Sequence, residues 1–354
     1  FAGFYVLVAT PFVARDLALL LSRAPRPAPL RSPYAAAALT AALMIALSLP
    51  EWSRETRPFG PGVEERRMPV SACDFIEAHD LRGRMFNPFY FGGYVAWRFW
   101  PDRARLPFMD IHQTGTRRDR DLYAYAFASR DAWDALQRAH DFQVALLDGH
   151  QEWVRGDRLL DFMDQDPRWA LVFRDDAAAL YVRRDGPLAA VANAHAYRVM
   201  PGGQEGMARV APQVFADPAA RRALRAELER RAAASPLNAQ ARSLIANLDY
   251  IEGNRAGART HLEAALAVDP TLAGVHRRLA WLHLDESRWR EGIRELEAER
   301  RLGTPPEDDW VRMGAAWEKL GDTARAVKAY RRARAVHAMD ADALEALRRL
   351  GADR

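Results

Sequence analysis

The sequence predicts three parts of different fold class: N-terminal transmembrane helices, a small α/β domain with a mostly parallel sheet, and a C-terminal all-helical solenoid. Three observations carry this reading. Two apolar runs lie before residue 50. Segments of helical and of strand-like pattern alternate between residues 69 and 185. From residue 239 onward, the same small and large apolar residues return every 34 positions. A chain of 354 residues has room for two or three domains, and a hydrophobic content of 49% argues against global disorder.

The bulk composition removes several classes of function. Formal net charge is only +4, and Lys319 and Lys328 are the sole lysines. Arginine and alanine usage of this kind belongs to a high-GC bacterial genome. No basic run is interleaved with aromatics, so nucleic acid is excluded as a partner. The single cysteine, Cys73, excludes an intrachain disulfide and a Cys-based zinc site. It sits in the helical pattern Val70, Cys73, Ile76, which predicts a buried small hydrophobe.

Taken in order, residues 1–50 read as two transmembrane helices. The runs are 1–22, interrupted by Arg15 and Asp16, and 34–49, ended by Pro50. Each is short of the ~20 positions a spanning helix needs, so each must borrow from its flanks. Between them Arg23, Arg26 and Arg31 stand without an acid, which places that loop in the cytoplasm. Residues 51–354 are then expected outside the cytoplasm, anchored in a bacterial inner membrane. The chain opens on Phe1 inside an apolar run, so a fragment of a longer membrane region is expected.

Residues 51–68 read as a charged linker. The domain at 69–185 is expected to hold helix 70–80, strand 84–86, helix 92–99, strand 105–109, helix 117–139, strand 142–147, helix 158–163 and a hairpin of 169–173 with 178–182. Residues 186–216 read as an irregular connector. Asp217 and Pro218 then open a long helix, and residues 217–354 form the helical domain.

The 34-residue pattern is clearest at Trp310, Met313, Gly314, Trp317, Gly321, Ala326, Tyr330 and Ala333. One period earlier stand Leu279, Ala280, Gly292 and Leu296. One earlier still stand Ile245, Ala246, Gly253, Ala258, Leu262 and Ala265. This resembles the tetratricopeptide (TPR) repeat, in which small residues mark close helix crossings and large ones fill around them. Repeats are expected at about 239–272, 273–306 and 307–340, with a capping helix at 341–350. Such repeats stack and line a concave face that takes a protein or peptide partner. The spacing puts Ser243, Asn247 and Tyr250, then Arg277, Trp281 and Leu284, then Val311, Ala315 and Glu318 on that face. Asn247, Tyr250, Arg277, Trp281 and Leu284 are the candidate partner-binding residues. Too few cations lie on these rows to clamp a terminal carboxylate.

One further constellation is chemical. Asp110-Ile111-His112-Gln113 and Asp148-Gly149-His150-Gln151 each follow an expected strand. If those strands were parallel neighbours, Asp110, His112, Asp148 and His150 would share one sheet edge and become candidate metal ligands. The bland alternative is that they cap loops. Gly92-Gly93 lacks the third glycine of a dinucleotide fingerprint and is expected to allow close packing. No Ser-His-Asp order or nucleophile elbow is present, so no catalytic residue and no cofactor are assigned.

Residues 1–185 also resemble the C-terminal region of bacterial GT-C glycosyltransferase-like membrane proteins, the dolichyl-phosphate-mannose mannosyltransferase-like group. The residues that carry it are Phe4–Pro11 with Ala14-Arg15, Pro69 with Cys73-Asp74-Phe75-Ile76, Phe86-Asn87-Pro88, Gly92-Gly93-Tyr94 with Trp97-Arg98, Asp110, and Trp169 with Arg174-Asp175-Asp176. The resemblance implies a glycosyltransferase-like parent whose catalytic acid lies upstream of this chain. Ile111-His112 stands where the family commonly has Gly-Arg. The expected function is therefore a membrane-anchored, extracytoplasmic interaction module. The alternative is a direct part of a transferase acting on a lipid-linked sugar.

Overall fold

The computed structural model describes residues 12, 15, 32–52, 64–112, 115–149, 156–303 and 307–352. The chain divides into two units, Phe1–Glu64 and Glu65–Arg354. In the first unit, helix α1 spans Pro33–Trp52 for 20 residues and leaves Tyr34, Leu39, Leu43, Met44 and Ile45 exposed. Among the described residues no helix is long and apolar enough to cross a membrane. The transmembrane expectation for α1 is therefore not supported. Pro33 and Tyr34 at one end and Pro50, Glu51 and Trp52 at the other leave an apolar stretch short of the ~20 positions a span requires. The first expected span and the arginine loop lie outside the described residues, apart from Phe12 and Arg15.

The second unit opens with helix α2 (Val70–Ala78), strand β1 (Met85–Phe86) and helix α3 (Phe89–Phe99). Helices α4 (Arg117–Ala126) and α5 (Arg130–His140) follow, then strand β2 (Val144–Asp148) and helix α6 (Leu159–Gln165). The hairpin of β3 (Trp169–Arg174) and β4 (Ala178–Arg183) completes a sheet of order β1-β2-β4-β3.

Only β1 and β2 are parallel; β4 runs antiparallel to both β2 and β3. The expected mostly parallel sheet is thus corrected to a mixed one. The turn at Asp175–Ala177 is too short for a crossover, so β3 and β4 must be antiparallel. β4 then inserts beside β2. The expected strand at 105–109 is also absent. Arg103–Arg105 forms a 3-10 turn, and a single bridge joins Pro107 to Met85. Proline has no backbone N–H with which to extend a ladder. The single helix expected over 117–139 is two, because the Ser129 side chain accepts from the Ala132 N–H and starts α5 afresh.

Strand alternation sorts the core. Ala145 and Leu147 of β2 face one layer, with Trp133, Phe142, Leu171 and Tyr181. Val144 and Leu146 face the other, with Ile76, Phe91, Val95 and Val172. Cys73 is fully buried in this second layer, and burial pushes its thiol up to about 12. It is an inert packing residue.

The stretch expected to be an irregular connector folds into helices α7 (Ala189–His195) and α8 (Gln204–Ala216). α6 holds the start of α8. Asp164 accepts the N–H groups of Gly202 and Gly203 at 3.0 and 2.7 Å, and Asp161 accepts that of Glu205 at 2.9 Å. Carboxylates are favoured there by the unpaired N–H groups and the positive end of the helix dipole.

Helix α9 (Pro218–Ala234) leads into three antiparallel hairpins and a final helix. The hairpins are α10 (Ala239–Ile251) with α11 (Arg255–Val268), α12 (Val275–Asp285) with α13 (Trp289–Leu302), and α14 (Glu307–Lys319) with α15 (Thr323–Val336). The final helix is α16 (Ala341–Arg349). This is a tetratricopeptide-like array, and the repeat period reappears in its packing. Ala246 and Ala280 are buried at one crossing position, and Gly314 occupies it in the third hairpin. Gly253, Ser287 and Gly321 share the turn position, each with positive φ. A Cβ on Gly314 would lie 2.6 Å from the Tyr330 ring. Gly314→Leu is expected to lower stability by about 1–3 kcal/mol through overpacking, read as the midpoint of thermal unfolding. An unchanged midpoint would show that the crossing tolerates side chains.

The array is keyed to the sheet. Asp176, in the β3–β4 turn, accepts the Ala239 N–H at 2.6 Å and pairs with Arg231 of α9 at 2.9 Å. Asp175 accepts the Ser235 hydroxyl at 2.9 Å. Leu228 of α9 and Ile245 and Leu248 of α10 belong to the same apolar cluster as Trp133.

Candidate functional site

α10 and α12, the first helices of their hairpins, lie side by side and enclose a cavity of about 490 Å³. Asn247, Arg277 and Trp281 line it, as the repeat spacing predicts, together with Leu244 and Arg278. Asn247 is fixed: its Oδ1 accepts Arg278 Nη1 at 2.8 Å. Trp281 is half-buried under the Arg312 guanidinium, 4.8 Å from its ring centre, and its Nε1 is buried without a partner. Such a stack holds the ring in place.

Not every predicted residue serves the cavity. Tyr250 is 46% exposed beyond the cavity wall, and its hydroxyl is 3.4 Å from Asp285. Leu284 is half-buried against Gly292, where a Cβ would lie 2.5 Å from it, and so belongs to the hairpin interior. Arg277 lines the cavity but is committed. Its Nε donates to Asp309 at 2.7 Å and its Nη2 lies 3.7 Å from Glu299, both buried acids. Ser243 also lines the cavity but is only 5% exposed.

Arg278 was not legible from the spacing. It turns toward α10, donates to the Ser243 and Gly274 carbonyls, and has no carboxylate within ion-pair distance among the described residues. Burial pushes its pKa down, the Glu299 carboxylate partly restoring it. The groove therefore carries a partly desolvated cation with no counter-charge of its own.

The segments that carry Asp110 and Asp148 are not neighbours in the sheet. The segment at Pro107 touches β1, not β2, so β1 stands between the two. Asp110 is half-buried and its Oδ1 accepts the His112 N–H at 2.9 Å; His112 is exposed. Asp148, 7% exposed, ends β2 and is hydrogen-bonded to Tyr90. His150 lies outside the described residues. Among the described residues no group of three or more His, Cys, Asp or Glu could hold a metal ion. Gly92 and Gly149 have structural reasons to be glycine. A Cβ on Gly92 would meet the Met109 carbonyl at 2.2 Å, and one on Gly149 would meet the Asp176 carbonyl at 2.5 Å. Gly93 meets nothing within 4 Å.

Beside Asp148 lies Asp157, whose carboxyl is pushed up from 3.8 to about 6, first by burial and then by the charges of Asp148 and Asp161. A raised carboxyl pKa means that the folded state binds the proton more tightly than the unfolded one. The contribution of Asp157 to stability therefore falls as pH rises from 3.8 through about 6, and is flat above that. Asp157→Asn is expected to remove this fall, so the difference in denaturation midpoint between variant and wild type should widen across that window. Parallel pH profiles would refute it.

No protein-family model matches the chain, and no curated protein matches it significantly. Among solved structures, the N-terminal domain of stress-induced protein-1 from C. elegans is 20% identical over 32% of this chain and 94% of that one, with a TM-score of 0.30. MamA is 18% identical over 37% and 78%, with a TM-score of 0.34. YrrB, described as a TPR protein with an unusual peptide-binding site, is 20% identical over 31% and 56%, with a TM-score of 0.30.

Proposed function

We propose that the second unit is a protein-interaction module that binds an extended peptide in the groove between α10 and α12. One observation carries the reading: a concave cavity of about 490 Å³ in which the half-buried Trp281 stands beside the hydrogen-bonding side chains of Asn247 and Arg278. Apolar walls with a few convergent polar groups are the usual form of a binding site, and Trp and Arg are the usual anchors. The membrane anchor, the lipid-linked sugar and the transferase parent stand on sequence alone.

The test uses phage-displayed random dodecapeptides selected on the full chain. Trp281→Ala is expected to weaken the selected peptides by about 2 kcal/mol or more, roughly thirtyfold, while leaving the melting transition nearly intact. Full retention of binding would place the partner elsewhere.

A further inference from the structure

The groove does not end at the first hairpin. Gln240 and Leu244 of α10 line both the groove and a second cavity of about 210 Å³. The other walls of that cavity come from outside the repeats: Arg174 at the end of β3, Arg231 of α9, and the turn at 200–203 with the first turn of α8. Arg174 is 7% exposed. Its Nη2 donates to the Gly149 carbonyl at 3.1 Å, and its Nη1 is buried and bonds nothing.

The neighbouring anions do not serve it. Asp176 is taken by Arg231 and by the start of α10. Asp175 holds the Ser235 hydroxyl and the Ala177 and Ala178 N–H groups. Asp164 holds the Tyr181 hydroxyl and the Gly202 and Gly203 N–H groups. Two guanidiniums lie close together here. The Arg231 pKa is pushed down to about 10, first by burial and next by Arg174. A desolvated guanidinium without a counter-ion is costly, and charge-assisted bonds from an incoming anion would offset that cost.

We propose that this cavity receives a carboxylate of the peptide that lies in the α10–α12 groove. The inference rests on the groove reading and adds the ligand's chemistry to it. A carboxylate suits the place better than a phosphate dianion. The space is small, and Asp161 and Asp164 stand directly behind the Gly202-Gly203 turn, within 2.0 and 3.5 Å of where side chains there would begin. The cations come from β3 and α9, not from the helix rows where the repeat spacing predicts a clamp. The carboxylate is either a peptide C-terminus or an Asp or Glu side chain.

The experiment titrates the full chain into three labelled pools of random octapeptides, followed by fluorescence anisotropy. One pool has a free C-terminus and no acidic residue. The second is amidated with one internal Asp or Glu. The third is amidated and lacks acids. One carboxylate pool is expected to bind at least tenfold tighter than the third, and which one identifies the source. The advantage should vanish in Arg174→Met. It should vanish also in Gln240→Glu, which supplies the carboxylate from within the cavity wall, and this variant decides the matter if Arg174→Met does not fold. Equal binding of all pools to the wild type, or an advantage that survives in either folded variant, overturns the proposal while the groove stands. If no pool binds, the groove reading falls and so does the peptide's carboxylate. An acetate-dependent rise in melting temperature at constant ionic strength, lost in Arg174→Met, would then leave an anion site alone.

Discussion

Asp176→Ala is expected to destabilise the chain by about 3–5 kcal/mol, the usual cost of removing one partner of a buried ion pair. Arg231 is 2% exposed and would keep its charge in the core with only Asn238 and Gln240 as polar acceptors. The same substitution strips the Ala239 and Gln240 N–H groups of their acceptor at the first turn of α10. A lost N-terminal cap costs ~1 kcal/mol by itself. Asp176→Asn keeps an oxygen for the cap and loses the charge, so it should fall between alanine and wild type. Urea denaturation followed by circular dichroism reads both. A loss below about 1 kcal/mol for the alanine variant would mean that water replaces the carboxylate and that the junction is not the buried hub described here.

How much of this was legible in the sequence depends on the range of the interaction. The repeat is local. Ala246, Ala280 and Gly314, or Gly253 and Gly321, answer to a crossing or a turn within one hairpin, so their spacing declares them. The β3–β4 hairpin is local too, and its short Asp-Asp turn is visible. The sheet order is not. Nothing within residues 142–182 states that β4 will insert beside β2, and the parallel reading followed from assuming that 105–109 paired with it. Pro107 was the signal against that strand, and Ser129 the signal for the break between α4 and α5. The groove was half legible. Helical spacing puts Asn247 and Trp281 on the rows from which both line the cavity. It cannot distinguish a free arginine from a paired one. Arg277 is tied to Asp309, 32 positions away, whereas its neighbour Arg278 faces the groove without a carboxylate. Arg174 could not be found at all, since it reaches the cavity only through the docking of the hairpin onto α9 and α10.

That docking makes a second large effect expected, and it reaches beyond the sheet. Trp133 is 0% exposed, with its ring centre 5.0 Å from Phe86, 6.2 Å from Phe142 and 6.1 Å from Trp169. Its Nε1 has no hydrogen-bond partner, so truncation loses packing alone. Trp133→Ala should therefore cost about 3–5 kcal/mol, the range for emptying a large aromatic site in a close-packed core. The distribution of that loss is the sharper test. The cluster around Trp133 runs without a break through Tyr197 to Leu228 of α9 and Ile245 and Leu248 of α10. Tyr330, Ala333 and Leu347, at the far end of the array, belong to a separate cluster. Stability within a chain follows such contiguous cores. Hydrogen exchange should thus lose protection in β2 and α10 together, while α15 keeps more of its own. If α10 holds wild-type protection as β2 opens, the first hairpin folds without the sheet. The cavity at Arg174 would then be a contact between independent domains instead of a built part of one.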